Sequence, residues 1–428
     1  MIKKLVIIMI SLTDEKTLLN IIKKVDARNS AFSKNNSKKI SYPLLENGFN
    51  DEDILKGIEV LLSRKLTMSE ITFNFEKYFA KYVGSKYAVM VNSGSSANLL
   101  VAFALINPSK KNRLKNGDNF LLPSICWSTS LWPFIQSGLK PKFIDVSKKD
   151  FCIDVESLNP KKLNNIKAVV AINILGNCPN IIELSKICRQ KNIYLIEDTC
   201  EALGSKINSK YLGTFGDFGT YSFYYSHQIT SGEGGMIVCN SKEDYKLLKV
   251  LRSHGWDRNL NKKNEKNFNF VNSGFNLRPL DLTAAIGFNQ IKRLNKMKKV
   301  RKKNKEMIIN SLKNSPKWNN QFEFFEARKG LDASWFGFPI LLNKNLKNKK
   351  KRFLQYLNQN NIETRPILSG NFLNQPSVSL YNLNSNNKKF KIAQEIEDRG
   401  FFIGVPTQIL TLEKINYLVQ KLLFIESI

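Results

Sequence analysis

The stretch that decides the fold spans residues 219–236 and reads GTYSFYYSHQITSGEGGM. It predicts a buried strand, a polar elbow that contains His227, a glycine pair and then a second strand at Met236–Cys239. The chain has only two histidines, and the other is His254. An arbitrary histidine is more often structural than catalytic. An isolated structural histidine would lack the glycines and Glu233 that follow here, so the pattern favours a catalytic His227.

This stretch resembles the cofactor segment of the DegT/DnrJ/EryC1/StrS family of vitamin B6-dependent sugar enzymes. Most members carry Ser-Phe, then a lysine that bonds covalently to pyridoxal phosphate, then Glu-Gly-Gly. Here His227 stands at the lysine position, and no lysine lies between Lys210 and Lys242. Such a histidine is typical of the dehydratase branch, which removes a sugar hydroxyl instead of installing an amine. The resemblance is nearly continuous from Tyr42 to the C-terminus.

Short apolar strands alternate with helical stretches through the first two thirds of the chain, as at Tyr87–Val91, Ala168–Ile174 and Ile193–Ile196. This alternation predicts an α/β fold with a mainly parallel, doubly wound sheet. The resemblance implies the aspartate-aminotransferase-like fold (fold type I) of pyridoxal-phosphate enzymes: a mainly parallel seven-stranded sheet sandwiched by helices, plus a smaller α+β C-terminal domain. We expect an N-terminal extension and linker at 1–40, a large cofactor-binding domain at 41–292 and a small domain at 293–428.

Two motifs predict a phosphate site and a carboxylate site. A Gly/Ser loop at 92–98 opens an apolar helix, which would present backbone N–H groups to a phosphate. Asp198 follows the strand Ile193–Ile196, at the edge where such sheets bind ligands. The resemblance implies that pyridoxal 5′-phosphate, or pyridoxamine 5′-phosphate, is held without a covalent link, with Trp127 stacked on its ring and Asp198 at its ring nitrogen. The expected cofactor-binding residues are Gly94, Ser95, Ser96, Trp127, Asp198, Glu201, Ser222 and Asn276.

The resemblance also implies a homodimer, because the counterpart of Asn276 reaches the cofactor phosphate of the neighbouring subunit. His254 is expected to line the active site as a second catalytic residue. The turn at 67–70 precedes a helix, so Thr67 or Ser69 could equally be a simple helix cap. The expected contacts to a nucleotide-sugar are Thr67, Met68, Ser69, Glu70, Arg258, Arg278 and Glu363.

The implied reaction is 3-dehydration of a nucleotide-linked 4-keto-6-deoxy sugar, with His227 as the base and L-glutamate as amino donor. GDP-4-keto-6-deoxy-D-mannose is the expected substrate, and the product is a 3,6-dideoxy-4-keto sugar for surface polysaccharide (O-antigen) synthesis. Two alternatives stay open: a nucleotide-sugar aminotransferase of the same family, and a CDP-4-keto-6-deoxyglucose 3-dehydratase. The latter branch carries a four-cysteine iron–sulfur cluster. No cysteine follows Cys239, so no cluster is expected.

Composition bounds the remaining classes. The chain has 428 residues, 42% of them hydrophobic, and a formal net charge of +30. Its basic runs are not interleaved with aromatic residues, so we expect solvated surfaces, not a nucleic-acid site, although a basic nucleic-acid-binding protein with an inactive cofactor fold stays open. The six cysteines form no CxxC pair, which argues against a metal site and fits reduced cytoplasmic thiols. The apolar stretch at 5–12 is too short to span a membrane, and Ala31–Lys39 is interpreted as a linker.

Overall fold

A computed structural model describes residues 11–35, 40–46, 48–257, 260, 268–384 and 390–428. Fourteen strands lie in this part of the chain: β1 (Tyr87–Val91), β2 (Asn119–Pro123), β3 (Lys140–Ile144), β4 (Ile166–Ile172), β5 (Tyr194–Asp198), β6 (Lys206–Ile207), β7 (Lys210–Tyr211), β8 (Phe218–Ser222), β9 (Gly235–Cys239), β10 (Phe322–Phe324), β11 (Leu331–Asp332), β12 (Gly337–Leu342), β13 (Thr364–Arg365) and β14 (Gly400–Gly404).

Thirteen α-helices lie in the same part of the chain: α1 (Leu12–Asn35), α2 (Asp51–Ser63), α3 (Glu70–Val83), α4 (Gly94–Leu105), α5 (Trp132–Gln136), α6 (Ile181–Gln190), α7 (Lys242–Arg252), α8 (Asp281–Ile291), α9 (Leu294–Lys313), α10 (Lys350–Gln359), α11 (Pro376–Leu380), α12 (Lys391–Arg399) and α13 (Leu412–Leu423).

The central sheet has seven strands in the order β1-β9-β8-β5-β4-β2-β3. The four pairs from β8 to β3 are parallel, whereas β9 runs antiparallel to both β1 and β8. This confirms the predicted mainly parallel seven-stranded sheet. Its parallel strands end together at one edge, and that edge carries the site described below.

Helices cover both faces of this sheet, as predicted. Along β1, Val89 and Val91 belong to one hydrophobic cluster, while Ala88 and Met90 belong to another. α4 packs against β8 and β9, and α3 packs against β1. Burial on both faces explains why these strands are continuously apolar instead of alternating with polar residues.

A second sheet follows toward the C-terminus, with four strands in the order β10-β12-β14-β13. It has a hydrophobic cluster of its own, to which α9, α10 and α13 contribute. Tyr42, which the sequence assigned to the large domain, packs in this cluster, and its hydroxyl donates to the Gly404 carbonyl at 3.0 Å. The predicted domain boundaries stay a prediction.

The N-terminal region differs from the prediction in one respect. Helix α1 continues through Asn35, so the first five residues of the predicted linker Ala31–Lys39 are helical, and residues 36–39 lie outside the described residues. α1 packs on α2, where Glu15 pairs with Lys56 at 3.4 Å. The predicted apolar stretch at 5–12 lies almost wholly outside the described residues. Within the described ranges, we find no helix with the length and apolar character needed to cross a membrane.

Candidate active site

The segment that joins β8 to β9 forms one wall of a cavity of about 510 Å³, which we call the strand-end cavity. The cavity lies where β5 and β8 end, as the topology of a parallel sheet predicts. No lysine is among its lining residues in the described part of the chain. Of the predicted site residues, the structure brings seven together here: Gly94, Ser95, Trp127, Asp198, Glu201, Ser222 and His227.

Asp198 ends β5 and is held by three donors. Its Oδ2 atom accepts hydrogen bonds from Asn98 Nδ2 at 2.9 Å and from Ser130 Oγ at 2.7 Å. Its Oδ1 atom accepts from the Cys200 backbone N–H at 3.2 Å. These three bonds fix the orientation of the carboxyl group, so that it can pair with a ring nitrogen in the cavity.

The N-terminus of α4 faces the same cavity. Ser93 caps the helix by accepting from the Ser96 N–H at 3.1 Å, and the Ser96 hydroxyl bonds to Ser93 at 3.0 Å. Ser96 serves the cap and does not line the cavity, whereas Gly94 and Ser95 do. A Cβ at Gly94 would lie 2.6 Å from the Ser222 Cβ, so only glycine lets the helix start approach Ser222. This arrangement fits a bound phosphate.

Trp127 lies on the cavity wall with about half of its side chain exposed, at 54%. A large aromatic surface that is left open beside a fixed carboxylate is what a flat cofactor ring needs on one face. Together with Asp198 and the α4 N-terminus, Trp127 makes the cavity fit pyridoxal phosphate.

Glu201 also faces the cavity, from the protein interior. Its Oε2 atom accepts from the Leu175 N–H at 3.0 Å. Burial, with a further contribution from Asp198, raises the pKa of Glu201 to about 8. The side chain is therefore largely protonated at neutral pH and can donate a hydrogen bond. Leu175 has a left-handed backbone, with φ at 52°, and this turn is what directs its N–H at the carboxyl.

His227 presents its imidazole to the cavity between two aromatic rings. The ring of Phe336 lies 4.9 Å away and that of Tyr224 5.9 Å away, both nearly perpendicular to it. Nδ1 is buried and has no hydrogen-bond partner in the described part of the chain. Burial, followed by the charge of Arg301, lowers the pKa of His227 to about 3. The imidazole is therefore neutral at physiological pH and can accept a proton.

Several predicted residues lie elsewhere on the chain. Met68, Ser69, Glu70 and Arg278 line a second cavity of about 430 Å³, which we call the surface cavity. Thr67 lies beside it and bridges to Leu280. His254 and Asn276 are exposed, and the Asn276 carbonyl oxygen accepts from Arg278 Nε at 3.1 Å. The roles predicted for these residues, and that of Ser96, stay predictions, and Arg258 lies outside the described residues.

Comparison with known proteins identifies the family. Residues 49–423 match the DegT/DnrJ/EryC1/StrS aminotransferase family. The chain belongs to this family. It is 40% identical over 394 residues to the GDP-4-keto-6-deoxy-D-mannose 3-dehydratase of Escherichia coli O55:H7, covering 90% of this chain and all of the relative.

Solved structures agree with the family assignment. A histidine-to-asparagine variant of GDP-4-keto-6-deoxymannose-3-dehydratase (ColD) with bound GDP-perosamine is 39% identical, with a TM-score of 0.81. That match covers 89% of this chain and 100% of the solved one. A second structure of this enzyme, with a trapped PLP–glutamate geminal diamine, is 38% identical and has a TM-score of 0.80 over the same shares of the two chains. The fold is therefore that of pyridoxal-phosphate-dependent aminotransferase-like enzymes.

Several residues of the strand-end cavity were not predicted from the sequence of this family member. Asn98 and Ser130 donate hydrogen bonds to Asp198. Asn98 could have been predicted as a site residue, because it lies in the Gly/Ser loop at 92–98. Arg365 also lines the cavity and pairs with Glu363 at 2.5 Å. Glu363 itself does not line the cavity but is bonded to a residue that does, and its predicted contact to the nucleotide-sugar stays a prediction. No local pattern indicated Arg365, since more than 130 residues separate it along the chain from His227.

Proposed function

We propose that this protein is a pyridoxal/pyridoxamine-phosphate-dependent 3-dehydratase of a nucleotide-linked 4-keto-6-deoxy sugar. GDP-4-keto-6-deoxy-D-mannose is the substrate and L-glutamate the amino donor. One observation carries the proposal: at the β8–β9 elbow, the neutral imidazole of His227 lines a cavity that also contains Asp198. No lysine is among the described residues that line this cavity. The similarity to two structures of a 3-dehydratase, one with GDP-perosamine and one with a PLP–glutamate adduct, supports the substrate and the donor.

Different residues of the strand-end cavity would bind different parts of the cofactor. Gly94, Ser95 and Ser222 would hold its phosphate, Trp127 would cover its ring, and Asp198 would keep its ring nitrogen protonated. When bound as the amine, the cofactor supplies a nitrogen for condensation with the C4 ketone and a ring that accepts electrons as the C3 hydroxyl leaves. Because no lysine lines the cavity in the described chain, binding is non-covalent.

His227 is the base in this proposal. Its imidazole lines the cavity and would take up a proton released beside it when cofactor and substrate are bound. A neutral imidazole can accept this proton without first losing one, and a positioned base contributes about 10²–10⁴ in rate. Net, the sugar loses its C3 oxygen, while glutamate is oxidised to 2-oxoglutarate and releases ammonia. The oxygen lost from the sugar equals the oxygen gained by glutamate, so the reaction balances.

The active form is a homodimer in which each strand-end cavity is completed by the partner. The exposed position of Asn276, with Arg278 and the 67–70 turn at the surface cavity, supports this arrangement, since these side chains are presented to solvent. A cytoplasmic location and a role in surface polysaccharide synthesis belong to the same proposal.

The same-family aminotransferase is disfavoured because amine transfer in that branch uses the lysine that His227 replaces. The CDP-sugar branch is disfavoured because the sequence has no cysteine after Cys239. The test is incubation with pyridoxal phosphate, glutamate and a panel of 4-keto-6-deoxy nucleotide-sugars, followed by mass spectrometry. A product lighter by one oxygen, greatest for the GDP-mannose derivative, is expected. An amino sugar, or no product with any nucleotide, would contradict the proposal.

Covalent attachment gives an independent test. After borohydride reduction of the protein with pyridoxal phosphate, peptide mass analysis should find no pyridoxyl-lysine at the β8–β9 elbow. A stoichiometric adduct on Lys210 or Lys242, the lysines that flank this segment, would contradict non-covalent binding.

A further inference from the structure

The segment Ser334–Phe336 connects β11 to β12 and lies against the β8–β9 elbow. Gln228 donates from Nε2 to the carbonyl of its first residue at 3.1 Å. Arg301 donates from Nη1 to the carbonyl of its second residue at 3.2 Å. The ring of its third residue packs on the imidazole of His227 at 4.9 Å. Three consecutive residues are thus contacted by His227, by its neighbour Gln228 and by a cation on α9.

Arg301 is an unusual buried cation. Only 2% of it is exposed, and no acidic side chain lies within ion-pair distance of it in the described part of the chain. Its Nε atom has no hydrogen-bond partner there. The other two fully buried arginines are paired: Arg252 with Glu76, and Arg399 with two glutamates. Burying a charge without a partner is costly, so Arg301 is poorly explained by stability alone.

The charge of Arg301 acts on His227. After burial, it is the second cause that lowers the pKa of the imidazole. Arg301 does not line the strand-end cavity, so it influences the imidazole from within the protein, across the Ser334–Phe336 segment. The other ionisable groups that line the same cavity are Asp198, Cys200, Glu201, Tyr224, Glu233 and Arg365. Behind the segment, the buried Lys305 lies over the ring of Trp335 at 3.5 Å.

We propose that Arg301 is a positioning residue for His227: its buried guanidinium, held on the Trp335 carbonyl, fixes the Ser334–Phe336 segment that packs on the imidazole and places a positive charge behind that ring. This inference rests on the proposed function, in which His227 is the base. It adds a residue that never touches substrate or cofactor. Removal of the cation is expected to favour the protonated imidazole, because a nearby like charge opposes protonation.

The test compares two neutral variants with one that keeps the charge. Arg301→Gln preserves a hydrogen-bond donor, and Arg301→Met fills the site without a polar group, so that a folded neutral variant is obtained even if one of the two fails. Arg301→Lys retains the cation. Each full-length protein, with pyridoxal phosphate added, is labelled with ¹⁵N-histidine. The chain has only two histidines, so a His254→Asn background leaves the His227 signals alone.

We expect the neutral variants to raise the titration midpoint of His227 by about one pH unit, and Arg301→Lys to leave it unchanged. The acid limb of the pH dependence of kcat should move upward with the NMR midpoint. The matched control is Arg399→Gln, since Arg399 is equally buried and donates to the Leu342 carbonyl but is paired with glutamates. It should lower stability without moving the His227 titration.

An unchanged His227 titration in a folded neutral variant would overturn the inference. A rise confined to the KM for glutamate would also overturn it, since Arg301 would then act in donor binding. The NMR readout does not require turnover, so failure of the sugar panel with the parent protein would reject the proposed function while leaving the Arg301–His227 coupling separately measured.

Discussion

The strand-end cavity and the surface cavity each contain a group of predicted site residues, and they are built differently. The first has a floor of buried strand ends, where Asp198 accepts three hydrogen bonds and Gly94 is in close contact with Ser222. The second combines the partly exposed 67–70 turn with the buried ion pair of Glu76 and Arg252. The first group is brought together within one chain, while members of the second, such as Thr67 and Glu70, are exposed at its surface.

The turn of the surface cavity is nevertheless well anchored. Asp281, at the start of α8, accepts from the Ser69 N–H at 2.9 Å and from the Thr72 N–H at 3.2 Å. Met68 has a left-handed backbone, with φ at 54°. The backbone of this turn is fixed by a buried carboxylate while its side chains are partly exposed. Such a turn can bind a substrate or a partner subunit without first becoming ordered. The comparison predicts that variants in the first cavity stop chemistry, whereas variants in the second weaken assembly or substrate binding.

The largest expected effect separates the two histidines. His227→Asn removes the base and should lower kcat by about 10²–10⁴ while pyridoxal phosphate still binds. His254→Asn should cost less than about tenfold in kcat, because this exposed side chain lies outside the strand-end cavity of its own chain. Asparagine is the matched replacement, since it tolerates the positive φ of 62° at His254.

Steady-state kinetics and the absorbance of bound cofactor measure both effects. If His254→Asn had the larger effect on kcat, the base would have to be assigned to His254, and the distinction between the two cavities would fail.

The second prediction concerns the homodimer. His227→Ala and Asn276→Ala chains are each expected to be poorly active alone. In a heterodimer of the two, one composite site contains both defects and the other contains none. Random mixing of equal amounts makes half of the dimers mixed, so about a quarter of parental activity should return.

A single-chain site predicts the opposite, because every chain in the mixture carries a defect. The control gives the two variants different affinity tags and purifies the mixture on both tags in turn, which confirms that subunits exchange. No recovery despite proven exchange would show that Asn276 does not contribute to a partner's active site.

The sequence predicted the elements of the first cavity well because local patterns specify them. β1, which leads into the 92–98 loop, has the predicted bounds Tyr87–Val91. β4 was expected to run to Ile174 but ends at Ile172, because the chain turns to direct the Leu175 N–H at Glu201. That turn depends on a partner 26 residues away, which apolar periodicity cannot reveal.

Residues from the second half of the chain were the ones missed. Phe336 and Arg365 reach the strand-end cavity, and Arg301 reaches its surroundings, only because the small sheet folds back against the large one. On sequence alone Arg301 is one of many cations in the basic helix α9, whose pattern indicates a solvated face. The expectation of a solvated face is wrong for three cations of α9, since Lys298, Arg301 and Lys305 are buried, and their burial is a tertiary effect with no local signal.

The third prediction uses the unusual carboxyl of the strand-end cavity. The pKa of Glu201 is raised from 4.5 to about 8, so the unfolded chain ionises at this position before the folded one does. The contribution of Glu201 to the free energy of unfolding is therefore complete below about pH 4.5 and decreases as the pH rises toward 8. The decrease is at most about 1.4 kcal/mol per pH unit. Glu201→Gln removes this term.

In the cofactor-free protein, Glu201→Gln should become progressively more stable than the parent between pH 5.5 and 8, as measured by apparent Tm. Glu233→Gln is the control in the same cavity: burial raises the pKa of Glu233 as well, but this side chain is less enclosed, so the same trend should be weaker. A constant difference in Tm across this range would show that Glu201 ionises normally.

The smallest expected effect tests what Ser69 does at the start of α3. Its hydroxyl accepts from the Ile71 N–H at 3.5 Å, a long bond for a helix cap, and Ser69 lines the surface cavity. A capping role and a substrate role make different predictions for two variants. Loss of a serine cap costs about 1 kcal/mol when alanine replaces it but only a few tenths with glycine. Loss of one hydrogen bond to the sugar nucleotide should raise KM by about 2–10-fold with either residue.

We expect Ser69→Gly to keep the parental Tm and to raise KM within that range, with kcat little changed, because the weak cap leaves the hydroxyl free to bind substrate. If only Ser69→Ala differed from the parent, and only in Tm, Ser69 would be a helix cap and the surface cavity would lose one of its predicted substrate contacts.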